Sequence, residues 1–181
     1  FESGGVTSGP KSVERLKKLI TKNPKPRLRE LALYRLGIVE YSLKNYSGAA
    51  EAFEDLLQSA SADLTVSSAW QAGESRRQLA QIAKGAAKIN EYKAALSNYQ
   101  RTMKENPAEG SNEKQLQQQA LLRAGETQSA LEDWSAAQKS YSKFVEENPS
   151  HRLIRTAYLG LGWSKHNQES YVEAVSYYNK V

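Results

Sequence analysis

The sequence has no cysteine among its 181 residues, so disulfide bonds, thiolate metal sites and cysteine nucleophiles are excluded. Long apolar runs are also missing, since no stretch approaches the roughly 18 apolar residues of a membrane span. Proline is scarce, with five residues. Runs in which β-branched side chains alternate with polar ones are absent, which predicts no sheet. These absences leave a helical protein as the expectation.

A pattern of small and aromatic residues recurs four times in the same order along the chain. The four instances are Leu36-Gly37, Tyr46, Ala49 and Phe53; Gly73, Tyr92, Ala95 and Tyr99; Ala124-Gly125, Trp134, Ala137 and Tyr141; and Leu161-Gly162, Tyr171, Ala174 and Tyr178. Such recurrence is typical of stacked helical repeats, in which each unit buries its apolar face only against its neighbours.

Proline marks where helices end, because it lacks a backbone N–H and disfavours helix in the residue before it. Asn-Pro stops occur at 23–24, 106–107 and 148–149. Apolar spacing predicts a leading helix from residue 11 and then helices over about 28–43, 47–59, 64–85, 88–105, 112–131, 134–147, 151–167 and 171–181. The longest spacing between equivalent aromatics is 46 residues, from Tyr46 to Tyr92. We therefore expect the intervening helix to be either extended or broken near Gly85.

This pattern resembles the tetratricopeptide repeat, a helix–turn–helix unit of about 34 residues, over residues 11–181. The third repeat matches most fully, at Leu121, Ala124, Gly125, Trp134, Ala137, Tyr141, Phe144 and Pro149. The resemblance implies an all-α fold, a right-handed α-solenoid of antiparallel helix hairpins with about four repeats plus the leading single helix. The repeats are expected at about 28–60, 64–107, 112–149 and 151–181, within a single domain. Residues 1–10, rich in glycine and serine, are expected to be disordered.

The sequence of residues 121–178 is similar to those of the divergent tetratricopeptide domains of bacterial cell-envelope proteins, including the outer-membrane assembly and division-coordinating types. That narrower resemblance implies a periplasmic or envelope location, with a membrane anchor upstream. The chain begins with Phe1 and stops within a helical pattern, so we interpret it as a fragment of a longer protein.

Few residues suggest catalysis. His151 and His166 lie fifteen residues apart on one predicted helix without acidic companions, so they predict neither a metal site nor an acid–base pair. The glycines of Gly160-Leu161-Gly162 lie in mid-helix, where close packing explains them better than phosphate binding. The sequence therefore predicts no enzyme, no metal and no cofactor.

The resemblance directs attention to one surface. In this family the first helix of each repeat lines a concave groove, and residues at fixed offsets from the glycine point into it. The corresponding partner-binding residues are Tyr34, Arg35, Ile38, Tyr41, Trp70, Gln71, Glu74, Arg77, Arg123, Glu126, Trp163, His166 and Asn167. Trp, Tyr and Arg are enriched in binding hot spots, so we expect a non-enzymatic scaffold for a partner peptide or domain. For Trp70 and Trp163, packing against neighbouring helices is the alternative.

Basic charge is concentrated near the N-terminus. Residues 11–35 hold nine of the 25 Lys and Arg side chains but only Glu14 and Glu30 as acids. One alternative function is contact of this segment with nucleic acid or an anionic membrane. No aromatic residues alternate with these cations, as stacking on bases would require. A solvated helix face is thus the simpler interpretation, and nucleic acid is not the expected partner. Self-association into a homo-oligomer, through an apolar face at Leu159–Val181, is a further alternative.

Overall fold

A computed structural model describes residues 5–22, 25–59 and 61–181, and these residues form α-helices but no strand. In chain order the helices are α1 Gly5–Thr21, α2 Pro26–Ser42, α3 Tyr46–Leu57, α4 Ala62–Ile82, α5 Gly85–Lys104, α6 Asn112–Ala130, α7 Trp134–Glu147, α8 Ile154–Asn167 and α9 Tyr171–Tyr178. The predicted all-helical fold is confirmed. The first of the three predicted Asn-Pro stops, at 23–24, and residues 1–4 lie outside the described residues.

Most helix ends agree with the sequence prediction to within a few residues. α5 and α7 end just before their Asn-Pro stops, at Lys104 and Glu147. The predicted break is confirmed: α4 ends at Ile82, and α5 begins at Gly85, whose φ of 55° lies in the left-handed region. α1 begins at Gly5 rather than at residue 11, so helix extends into the segment for which the sequence predicts disorder.

Three helix hairpins have turns of the same conformation. A residue with left-handed φ lies two positions before the aromatic that opens the second helix, and these residues are Lys44, Glu132 and Glu169. In the first two turns, the side chains of Asn45 and Asp133 accept a hydrogen bond from the amide three residues on and so cap α3 and α7. The common turn reverses the chain and makes each helix pair antiparallel.

The chain divides into two compact units, Phe1–Glu91 and Tyr92–Val181. In the first unit α1 packs on α2, α2 on α3 and α3 on α4; in the second, α6 packs on α7, α7 on α8 and α8 on α9. The core of the first unit is formed by Ala49, Phe53, Leu57, Ala69 and Ala72. The core of the second is formed by Leu121, Leu122, Ala137, Tyr141, Phe144, Ala157 and Leu161.

An aromatic ring of the second helix lies against the glycine of the first helix in each of these units. A Cβ atom on Gly37 would lie 2.6 Å from the ring of Phe53, and one on Gly125 would lie 2.7 Å from the ring of Tyr141. Gly160 of α8 contacts the same Tyr141 ring, so one side chain fills the space between two hairpins. The packing interpretation of this mid-helix glycine is confirmed.

Candidate partner-binding surface

In the first unit, four predicted groove residues lie on α2. Arg35 is exposed, Ile38 is 39% exposed, and Tyr34 and Tyr41 are half-buried. The ring of Tyr34 meets Phe53 edge-on, with 5.8 Å between centroids. Tyr41 meets Tyr46 in the same way at 5.2 Å. Each tyrosine is thus held by an aromatic neighbour on α3 while part of its surface stays accessible to a ligand.

Four further predicted residues of this unit lie on α4, which contacts α2, and three of them are Gln71, Glu74 and Arg77. Arg77 donates from Nη2 to Glu74 Oε2 at 2.9 Å and from Nε to Oε1 at 3.3 Å, and Gln71 lies one turn earlier, half-buried. Burial, followed by the charge of Glu74, raises the pKa of the Tyr41 phenol, while a hydrogen bond with Gln78 lowers it. The structure therefore brings the α2 and α4 positions together around Tyr41.

Trp70 occupies the core rather than the surface. Only 9% of this side chain is exposed. Of the two interpretations that the sequence leaves open for it, packing agrees with this burial. Truncation of Trp70 would remove core volume, so this residue is unsuitable for a test of partner binding.

In the second unit, Arg123 and Glu126 lie one turn apart on α6 and pair with each other, with Nη1 and Oε2 2.6 Å apart. Both side chains are partly buried. Beneath them lies Tyr141, whose pKa is raised to about 12, first by burial and then by the charge of Glu126, against a lowering hydrogen bond with Ser129. The opposite charges of Arg123 and Glu126 neutralise each other within α6, so the pair adds no net charge to this surface. Its polar groups can orient a bound partner.

α8, which contacts α6, carries three exposed predicted residues, Trp163, His166 and Asn167. Trp163 is 50% exposed, and its ring lies parallel to that of His166, with an interplanar angle of 3° and 5.8 Å between centroids. The exposed Asn167 donates from Nδ2 to the carbonyl of Trp163 at 2.8 Å. For Trp163, exposure is the interpretation that agrees with the structure.

Two more residues extend this region: Leu159, which holds a groove offset three residues before Gly162, and Tyr171, which the sequence does not assign to the site. Tyr171, at the start of α9, is 56% exposed and meets His166 edge-on at 5.4 Å. Leu159, one turn before Trp163, is 52% exposed. We call Leu159, Trp163, His166 and Tyr171 the aromatic patch. Sequence reasoning assigns Tyr171 to packing, because an aromatic opens the second helix of each repeat.

Some cations of the basic segment, residues 11–35, form ion pairs with acidic side chains of the chain, and others are exposed on α1. Lys17 Nζ lies 3.0 Å from Glu40 Oε1, and Arg27 and Arg29 pair with Glu30 and Asp55. The exposed side chains of this segment include Lys11, Arg15, Lys18 and Lys22, at spacings of four, three and four residues. These four lie along one side of α1 and its terminal turn, opposite the apolar side that packs on α2.

Among the residues that the structure describes, no group of three or more His, Cys, Asp or Glu side chains is arranged to hold a metal ion. His151 Nδ1 accepts a hydrogen bond from the amide of Leu153 at 3.1 Å and so helps to start α8. None of the helices in these segments is long and apolar enough to cross a bilayer.

The chain matches the sequence model of the tetratricopeptide repeat over residues 10–63 and 118–181, together more than half of its length. No curated protein matches it by sequence.

Several solved structures share the fold. A crystal structure of MamA protein superposes with a TM-score of 0.72 at 17% identity, covering 96% of this chain and 81% of that one. A MamA segment from Desulfovibrio magneticus RS-1 gives a TM-score of 0.66 at 18% identity, with 96% and 83% covered. The apo form of RapI gives 0.63 at 15% identity, covering 93% of this chain and 45% of RapI. At these identities the likeness establishes the fold alone.

Proposed function

Because the chain belongs to the tetratricopeptide repeat family, we propose that it is a non-enzymatic scaffold that binds a segment of a partner protein through exposed positions of its first helices. The aromatic patch is the observation that supports this most. A tryptophan that is half exposed and stacked on histidine leaves a large apolar area in contact with water. Burial of such an area by a ligand is the main source of affinity at hot spots.

The neighbouring groups fit a peptide ligand. Leu159, one turn before Trp163 on α8, and Tyr171, whose ring contacts His166, add exposed apolar area to the patch. Asn167, beside the patch, and His166, between Trp163 and Tyr171, supply polar atoms for backbone groups of a bound segment. On α2, the exposed Arg35 and Ile38 make a second, smaller set of contacts for the first unit.

A selection from a displayed peptide library tests the proposal. Peptides selected on the wild-type chain should lose at least about tenfold in affinity for Trp163→Ala, because removal of a hot-spot aromatic costs about 2 kcal/mol or more. Binding should be measured by fluorescence polarisation of the labelled peptide. Circular dichroism of the variant should be unchanged, since the side chain is half exposed.

Lys139→Ala provides the matched control, because Lys139 is exposed on α7 and lies outside the aromatic patch. Its affinity for the selected peptides should equal that of the wild type. Peptides that bind wild type, Trp163→Ala and Lys139→Ala equally well would show that the patch is not the binding site.

We extend the proposal to the bacterial cell envelope, where the resemblance of residues 121–178 suggests that the scaffold works. Fractionation of cells that make the full-length protein, combined with protease accessibility, tests this location. Recovery of the protein only among cytoplasmic proteins would contradict it.

A second candidate function is supported by the basic side of α1. Four exposed cations on one side of a helix attract an anionic bilayer, at about 1 kcal/mol for each cation near the surface. Co-sedimentation with phosphatidylserine vesicles at low salt should then exceed that with phosphatidylcholine vesicles. Replacement of Lys11, Arg15 and Lys18 by Gln should abolish the difference. Equal sedimentation with both lipids would remove this candidate.

A further inference from the structure

A polar cavity of about 540 Å³ lies within the second unit, between the end of α5, the first half of α6 and the end of α7. Its lining includes the apolar side chains of Met103 and Leu121 and the amides of Gln117, Gln118 and Asn148. We call the space lined by these five residues the amide cavity. Its volume is typical of ligand pockets, which measure about 300 to 1,000 Å³. α6 and α7 also pack against α8, so the cavity does not lie on the last helices of the array.

Gln118 has an equivalent in the first unit that is fully engaged. Seven residues before the repeat glycine, α2 has Glu30 and α6 has Gln118. Glu30 is 7% exposed and accepts hydrogen bonds from Ser61 N at 3.1 Å, from Ser61 Oγ at 2.8 Å and from Arg27 Nη1 at 3.2 Å. Gln118 is half-buried, and its amide has no hydrogen-bond partner within the described part of the chain. At this position the first unit therefore has a structural contact, whereas the second has an unused donor and acceptor.

A second pair of equivalent residues shows why the space beside Gln118 is open. In the first unit, Arg29 of α2 and Asp55 of α3 form an ion pair, with Nη2 and Oδ2 2.7 Å apart. The residues at these positions in the second unit are Gln117 and Lys143. Gln117 donates from Nε2 to two carbonyls at the end of α5, at 2.6 and 3.2 Å, and so leaves the α7 side of the cavity. A cavity between α1, α2 and α3 is smaller, at about 390 Å³, and is not lined by Arg29.

Asn148 adds a buried acceptor to the amide cavity. The residue is 8% exposed, and its Nδ2 donates to the carbonyl of Phe144 at 3.1 Å. Its Oδ1 has no hydrogen-bond partner among the residues that the structure describes. A buried acceptor without a partner costs free energy. A donor that enters the cavity therefore gains a hydrogen bond at Asn148.

The charged residues of the lining neutralise one another. Three lysines and three glutamates line the cavity. Lys114 Nζ lies 2.9 Å from Glu109 Oε1, and Lys143 Nζ lies 3.8 Å from Glu147 Oε1. The lining thus has no net charge and favours neither an anion nor a cation. None of its described residues is aromatic, so it offers no ring on which a nucleobase could stack.

We propose that the amide cavity binds an extended, uncharged polar segment of a partner protein, whose main chain forms hydrogen bonds with Gln118 and Asn148. A carboxamide presents a donor and an acceptor side by side, as a peptide group does, so Gln118 can pair with one N–H and one C=O of the segment. Asn148 Oδ1 accepts from a further N–H. The segment is extended, because the main-chain groups of a helix already bond to each other. This site goes beyond the proposed peptide site on α8 and shares no residue with the aromatic patch.

A displayed peptide library, selected on the Trp163→Ala variant, tests the amide cavity without the aromatic patch. The selected peptides should be uncharged and polar, and they should bind the wild type and Trp163→Ala with equal affinity. Fluorescence polarisation of the labelled peptides measures this affinity. It should change less than about twofold between about 50 and about 500 mM NaCl, because the hydrogen bonds join neutral groups.

Gln118→Leu should weaken the binding of these peptides at least about tenfold, because it keeps the size of the side chain and removes two hydrogen bonds. Its thermal denaturation should match that of the wild type, since the amide of Gln118 bonds to no other described residue. Gln115→Leu is the matched control. Gln115 is exposed on the same helix and does not line the cavity, so this variant should bind as the wild type does.

A scan of backbone N-methyl groups along a selected peptide tests whether its main chain is bound. Each N-methyl group replaces one N–H. At the residue that pairs with Gln118, it should weaken binding to the wild type at least about tenfold. The same N-methyl group should cause no further loss in Gln118→Leu, because the two changes remove one contact.

Four results would overturn the proposal. These are a selection on Trp163→Ala that yields no peptide, selected peptides that bind Gln118→Leu as tightly as the wild type, charged peptides whose affinity falls as salt is raised, and an N-methyl scan without effect. An aromatic patch that binds no peptide would instead contradict the proposed function and leave the amide cavity unaffected.

Discussion

At the scale of single residues, aromatic rings leave no room for a side chain at the repeat glycines Gly37, Gly125 and Gly162. Gly125 on α6 faces Tyr141, and a Cβ atom at this position would overlap the ring edge at 2.7 Å. Tyr141 is itself only 3% exposed and lies between two hairpins, so it has little room to move.

We predict that Gly125→Ala lowers the free energy of unfolding by about 1 to 3 kcal/mol, the usual cost of overpacking, despite the higher helix propensity of alanine. Urea denaturation would measure the loss. Gly110→Ala is a comparison that acts through the backbone, because the φ of Gly110 is 76° and no atom lies near its Cβ position. A stabilised Gly125→Ala variant would contradict the packing argument.

The ionisation of Tyr141 predicts a dependence on alkaline pH. Its pKa is raised from 10.0 to about 12, chiefly by burial. A group with a raised pKa in the folded state stabilises the fold fully below the unfolded pKa and loses this contribution as pH rises through the folded one. The wild type should therefore lose up to about 1.4 kcal/mol per pH unit between 10 and 12 from this group. Tyr141→Phe should lack this loss in denaturation measured across the same range.

At the scale of elements, the shared hairpin turn carries backbone strain. Lys44, Glu132 and Glu169 have φ values of 61°, 60° and 59°, where a side chain is crowded by its own backbone. Glycine, which adopts this conformation freely, is the common residue at such helix ends.

Glu132→Gly and Glu169→Gly should each raise the free energy of unfolding by about 0.5 to 1 kcal/mol, because relief of strain exceeds the added freedom of the unfolded chain. Thermal denaturation is the measurement. Glu147→Gly, at the end of α7 with no left-handed φ, should instead destabilise. A drop in stability for both turn variants would refute the strain argument.

Helices of neighbouring repeats are also joined by ion pairs of opposite polarity. Lys17 of α1 reaches Glu40 of α2, whereas Glu54 of α3 pairs with Arg76 of α4. Glu40 and Arg76 occupy the same position, three residues after the repeat glycine. The hydrogen bonds that Arg76 donates to Glu54 are the main reason that the pKa of Arg76 is raised. Because the charges at these equivalent positions have opposite signs, α1 packed in the place of α3, or α3 in the place of α1, would bring like charges together.

Lys17→Met should destabilise the docking of α1 by about 1 to 2 kcal/mol, because it leaves the buried Glu40 carboxylate without its cation. Asn45 Nδ2 would remain as a donor to Glu40, at 2.8 Å. The double variant Lys17→Met with Glu40→Gln should recover much of the loss. Hydrogen exchange of α1 amides would report both effects, and equal exchange in single and double variants would exclude a role for the buried charge.

At the scale of the whole molecule, the two units have separate cores. The first centres on Phe53 and the second on Tyr141 and Phe144. In repeat proteins, stability is approximately a sum over neighbouring interfaces, so damage in one place loosens that place first.

Gly125→Ala should therefore increase amide exchange in α6, α7 and α8 more than in α2, α3 and α4, and Gly37→Ala should do the reverse. Hydrogen exchange with mass spectrometry resolves the two halves. A uniform increase along the chain in both variants would mean that it unfolds as a single cooperative unit.

The sequence by itself determined the helices, their ends and the repeat order, because these depend on local spacing, on proline and on turn residues. α7 runs over residues 134–147 as the sequence predicts, and the break at Gly85 follows from a glycine in a long helical pattern. The thirteen predicted groove residues were found by their offsets from the repeat glycine. Such an offset determines on which face of the helix a residue lies, but not which other helix packs against that face.

Only the tertiary structure decided which of those directions are open. Trp70 and Leu159 share one offset from their glycines, yet the first is 9% exposed and the second 52%. Burial depends on the helices that approach from elsewhere in the chain, and no local pattern encodes them. For the same reason, only the assembled fold left Trp163 and Tyr171 uncovered around His166.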